Sequence, residues 1–123
     1  MMNYRKIALF SCLLAALVIT LGAYTRLSNS GLGCPDWPGC YGFISVPTHA
    51  TDVLLAESLF PDSQLEPKKA WIEMVHRYFA GCLGLLIAFL CIIAVRNKKQ
   101  SVLPVRLGVL GAVLGVFQGA LGM

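Results

Sequence analysis

Acidic side chains are missing from both ends of this sequence: none precedes Asp36 and none follows Glu73. Charge is scarce throughout, at 13% of 123 residues against 57% hydrophobic. An ordinary soluble domain carries about 25% charged residues, so that class is excluded and a membrane class indicated. No internal repeat, low-complexity linker or separate soluble domain is present. The short cysteine spacing of zinc sites is also missing: five residues separate Cys34 from Cys40, and only His49 lies nearby.

What is present are three uncharged apolar stretches, Ile7–Ala23, Tyr78–Val95 and Leu107–Met123. Soluble helices rarely run that long without a charge, so the stretches predict three membrane crossings, at about 7–23, 75–95 and 103–123. The first follows Arg5 and Lys6 as a secretory leader would. It exceeds the usual apolar length of a leader, however, and no small-x-small cleavage site follows. Basic residues fall on one side (Arg5, Lys6, Arg96, Lys98, Lys99, Arg106), and all six acids fall in or beside the segment on the other. The positive-inside rule therefore predicts a cytoplasmic N-terminus and an outer loop over about 24–70. The net charge of +4 is accounted for by this topology and indicates no nucleic-acid partner.

The outer loop divides in two. Residues 28–47, rich in Gly and Pro, predict ordered irregular structure. Residues 48–60 predict a short helix with Thr48 or Thr51 as N-cap, its apolar side chains along the membrane surface and Pro61 ending it. Pro67 suits the first turn of a long helix running to Val95, with Trp71 and Tyr78 at the interface. Cys12, Cys82 and Cys91 lie inside crossings as small packing residues. In the third crossing Gly108, Gly111, Gly115, Gly119 and Gly122 suggest close helix packing, with Gly111, Gly115 and Gly119 at small-xxx-small spacing.

The stretch "WIEMVHRYFAGCLG" carries the candidate chemistry. Glu73, His76 and Arg77 stand at i, i+3 and i+4, on one side of a helix, above Ala80, Gly84 and Ala88. An imidazole above small residues leaves room for a flat ligand such as haem, with His76 on the iron and Arg77 and Arg26 toward propionates. The plainer alternative is a surface histidine beside an ordinary Glu73–Arg77 pair. Cys34 and Cys40, in "GLGCPDWPGCYG", favour a structural disulfide, with a redox-active pair as the alternative.

These two regions, the first extended to "GAYTRLSNSGLGCPDWPGCYG", resemble the N-terminal part of bacterial heme A synthases, and the likeness continues to "GVFQGALGM". The resemblance implies an eight-span protein of two similar four-helix halves. Its enzymes oxidise a ring methyl of heme O to the formyl group of heme A, through successive hydroxylations with oxygen from water. It implies an oxidoreductase of the bacterial inner membrane. Its partners are heme O, membrane lipid, an electron acceptor, heme O synthase and the oxidase assembly pathway. The Glu-x-x-His-Arg motif of the family matches Glu73, His76 and Arg77. His76 is then the axial ligand of the substrate haem iron, Glu73 an acid–base or charge-stabilising carboxylate, and Cys34–Cys40 a disulfide or redox-responsive pair. The family's second half, with heme b, has no counterpart here, and its second axial histidine lies on a later span.

The expected fold is an all-α integral membrane protein. Its three transmembrane helices form part of a four-helix half-bundle with a long outer loop. A chain stopping at Met123 is expected to be truncated, lacking turnover alone. Two other functions compete: a haem-binding electron-transfer or assembly module without substrate chemistry, and a small structural protein packing through its third crossing.

Overall fold

The computed structural model describes residues 4–96 and 103–121, with side-chain surroundings of the last helix over 106–117. Lys98, Lys99 and Gly122, and the surroundings of Gly119, lie outside that description. Four helices follow in order: α1 (Tyr4–Leu27), α2 (Ala50–Leu59), α3 (Pro67–Arg96) and α4 (Leu103–Leu121). The only strand-like pairing among the described residues is an isolated bridge between Cys40 and Phe43.

Two of these helices, α1 and α3, are long and apolar enough to cross a membrane, and only 11% and 6% of their apolar windows are buried. A core helix of a soluble protein would hide such residues; here Phe10, Leu13, Ile19, Leu85 and Ile92 are exposed. The 30 residues of α3 extend about 45 Å, beyond a ~30 Å hydrocarbon core, so part of the helix stands outside the lipid. The α4 helix, 19 residues long, lies along the third apolar stretch.

Helix ends follow local chemistry. α1 closes where Asn29 turns left-handed (φ 52°), with the Ser28 and Ser30 amides donating to the Tyr24 and Thr25 carbonyls. Pro67 opens α3 as its first residue. The expected N-cap of α2 is corrected: His49, in extended conformation and without a side-chain capping bond, precedes the helix, and neither Thr48 nor Thr51 fills that place. Asp52 in the first turn supplies the favourable charge instead.

The chain forms two compact units, one of residues 1–17 with 80–123 and the other of residues 18–79. Within the first, a Cβ on Gly108 would stand 3.2 Å from the Cys91 sulfur, so α4 approaches α3 closely there. Gly111 and Gly115 meet nothing within 4 Å among the described residues. Among the described residues, the small-residue contact of α4 is Gly108 against Cys91. Cys12 and Cys82 are exposed, which corrects their expected packing role within the chain.

The second unit holds a true buried core, and it is built by the outer loop. Cys34, Cys40, Tyr41, Val46, Ala56, Ala70 and Met74 cluster together, flanked by Phe43, Phe60 and Leu65. The Tyr41 and Phe60 rings meet edge to face at 5.7 Å. α2 enters this core through Ala56, fully buried, while Leu54 and Leu59 stay exposed.

Candidate functional site

The site rests on a loop that the sequence forces into a tight knot. Cys34 and Cys40 form a disulfide with Cα atoms 4.9 Å apart. Beyond it Tyr41 (φ 52°) and Gly42 (φ 82°) make a two-residue reversal, closed by the Cys40 and Phe43 amides donating to each other's carbonyls. Two successive positive φ values define a primed hairpin turn, which glycine tolerates and other residues resist. Asp36 stabilises the reversal, accepting from the Tyr41 amide at 2.5 Å and the Gly42 amide at 2.8 Å. The Tyr41 hydroxyl donates to the Gln64 carbonyl at 3.0 Å, and the Tyr78 hydroxyl to Ile44 at 2.9 Å. Burial, followed by the charges of Asp36 and Glu66, raises the Tyr41 phenol above its ordinary pKa.

The outer turns of α3 hold this knot directly. Glu73 is buried, and its Oε2 accepts from the Cys34 amide at 2.9 Å. Its Oε1 pairs with Nη2 of Arg77, one turn further along the helix. Nη1 of Arg77 donates to the carbonyls of Asp36 and Gly39, both at 2.7 Å. Both Glu73 oxygens and both terminal Arg77 nitrogens are thus engaged, the charges paired and the loop carbonyls satisfied. At Gly33 the loop lies flush on α3: a Cβ there would stand 2.7 Å from the Lys69 carbonyl carbon and 2.8 Å from the Ala70 nitrogen.

His76 faces elsewhere. Its half-buried imidazole lies beside α1 at Gly22, where a Cβ would stand 3.0 Å from Nε2. Arg26, one turn beyond Gly22 on α1, is exposed. The structure therefore brings Glu73, Arg77 and the Cys34–Cys40 loop into one cluster and sets His76 against α1, with Arg26 above. Sequence reasoning passed over Asp36, the Cys34 amide and Gly22. Asp36 had a readable signal, an aspartate opening a Gly- and Pro-rich turn; the other two act through backbone and had none.

A shallow apolar groove of about 220 Å³ between the outer parts of α1 and α3 is lined by Leu21, Tyr24, Thr25, Trp71, Ile72 and Val75. That is below the ~300–1,000 Å³ of ordinary cofactor pockets, so these residues form one wall and not an enclosure. A larger hollow of about 510 Å³ beside Arg5, Lys6 and Cys12 contains none of the candidate residues.

Fold and site together define a helical membrane protein with an imidazole and a buried carboxylate one turn apart at the end of a crossing helix, braced by a disulfide-closed loop. The profile of the family described as cytochrome oxidase assembly protein, COX15-CtaA, matches residues 5–123, and the chain belongs to that family. It is 56% identical over 110 residues to the heme A synthase of Shewanella oneidensis, covering 87% of this chain and 32% of that protein. It is 30% identical over 128 residues to the heme A synthase of Granulibacter bethesdensis, covering 90% and 33%. With that of Shouchella clausii it shares 29% identity over 119 residues, covering 96% and 34%. The chain thus spans about a third of the length of the curated relatives it matches. No solved structure matches it.

Proposed function

We propose that this chain supplies the first crossing helices, the outer loop and one axial ligand of a heme A synthase, the enzyme that oxidises heme O to heme A. The observation that carries the reading is the placement of His76 one turn from a carboxylate fixed by the Cys34 amide and Arg77. The face also fits a haem chemically. No hydrogen bond occupies the His76 imidazole among the described residues.

Bound heme O brings both the methyl group to be oxidised and an iron that a neutral imidazole can ligate. His76 would hold the macrocycle, and the exposed Arg26 would offer a propionate a positive charge. Arg77 adds positive charge while its hydrogen bonds remain with the loop. Glu73, a carboxylate held by protein donors, would supply negative charge suited to stabilising positive charge that develops on the methyl carbon. Electrons leave to an acceptor outside this chain. The third crossing along α4, the half-bundle, a multi-pass topology and a cytoplasmic N-terminus belong to the same proposal.

A second reading, a haem-binding module without substrate chemistry, is favoured by one observation: both Glu73 oxygens are already engaged, Oε2 by the Cys34 amide and Oε1 by Arg77. The full-length protein separates the two in cells lacking their own synthase. With Glu73→Gln, which keeps an acceptor for the Cys34 amide, the enzyme reading expects bound haem but extracted pigment arrested before heme A. Heme A at the unaltered yield would remove the catalytic role and leave the module.

A further inference from the structure

We propose that Gly22 is a positioning residue for His76: its bare backbone sets how the imidazole lies and so where the ring nitrogens are aimed. The inference deepens the reading above and rests on His76 as the iron ligand.

The contact is narrow and specific. A Cβ at position 22 would stand 3.0 Å from Nε2 and 3.6 Å from both Cδ2 and Cε1. The first distance is well inside the ~3.5–4.0 Å of favourable nonbonded packing. By contrast Gly31, Gly81 and Gly84 have nothing within 4 Å of such an atom.

Neither helix is free to retreat. Glu73 and Arg77, flanking His76 on α3, are tied to the loop through Cys34, Asp36 and Gly39. The end of α1 leads within a few residues to Gly33, flush against the Lys69–Ala70 backbone, and to Cys34, whose amide is bonded to Glu73. Added bulk at position 22 is therefore taken up by the His76 side-chain torsions.

A second observation makes the contact decisive. Metal-ligating histidines are usually oriented by a hydrogen bond to the other ring nitrogen. His76 has no such bond among the described residues, so the steric stop at Gly22 does the orienting.

The test uses nuclear magnetic resonance on this chain labelled at histidine, of which it has two. His49, outside α2, is the internal reference. The unaltered chain is expected to give a nuclear Overhauser contact between the Gly22 α-protons and the His76 ring. Gly22→Ala is expected to shift the His76 ring signals and leave those of His49, while Gly31→Ala moves neither. Absence of the contact in the unaltered chain, or an unmoved His76 signal in Gly22→Ala, overturns the inference; the first holds even if the variant fails to fold.

In the full-length protein loaded with haem, Gly22→Ala is expected to shift the low-spin electron-paramagnetic signal and the midpoint potential. His76→Ala is expected to lose the signal. If His76→Ala leaves the spectrum unaltered, the ligand reading fails. If His76→Ala loses it and Gly22→Ala changes nothing, only the positioning role fails.

Discussion

Between the Cys34 backbone nitrogen and Oε2 of Glu73 runs a 2.9 Å hydrogen bond that joins the disulfide to the carboxylate of α3. With Arg77 reaching the Asp36 and Gly39 carbonyls, it makes the outer loop and the motif helix one mechanical unit.

Removing Arg77 should loosen that unit more than conservative change at Glu73. Arg77→Met leaves a buried carboxylate and two loop carbonyls without their donor, and losing one partner of a buried pair costs about 3–5 kcal/mol. Arg77→Lys should fall between Met and wild type, because an ammonium cannot reproduce the planar fork. Thermal unfolding followed by the fluorescence of Trp37 and Trp71 measures the order; Arg77→Met melting with the unaltered chain contradicts it.

The disulfide should stabilise the loop modestly. Closing so short a ring removes chain entropy worth about 2 kcal/mol. The Cys34→Ser/Cys40→Ser double variant should therefore unfold earlier, and a reducing agent should lower the midpoint of the unaltered chain but not of the variant.

Alkali should weaken the loop through Tyr41. Its folded pKa lies above the unfolded value of about 10. The stabilisation from the neutral phenol is thus fully present below that value and lost as pH rises through the folded pKa. Phenolate absorbance should show one late-titrating tyrosine, absent in Tyr41→Phe. That variant also loses the bond to Gln64, at a cost of about 1 kcal/mol.

Glycine substitutions should divide by position. Gly33→Ala drives a methyl group into the α3 backbone and should cost about 1–3 kcal/mol. Gly42→Ala imposes a left-handed residue at about 1–2 kcal/mol. Gly31→Ala, open on all sides, should be silent. Equal melting of all three would contradict the tight loop packing.

Much of this arrangement was legible in the residues. The long helix from Pro67, the common side of Glu73 and Arg77, and the pairing of Cys34 with Cys40 follow from φ restriction, helical period and loop chemistry. The N-cap of α2 was not legible, because burial of Ala56 and the path of the loop outweighed the capping preference of threonine. Nor was the partner set of Arg77: its acceptors are carbonyls some forty residues away, and backbone groups leave no mark in a sequence. The glycines of α4 pointed to close helix packing, and among the described residues the contact with α3 falls at Gly108 on Cys91, because spacing gives a period and not a partner.

The buried cluster around Tyr41 and Met74 gathers side chains from the disulfide loop, α2 and α3. Its cohesion comes from apolar side chains packed against one another, whereas the flanks of α1 and α3 are almost wholly unburied. A loop fastened in this way sets the spacing between the end of α1 and the start of α3.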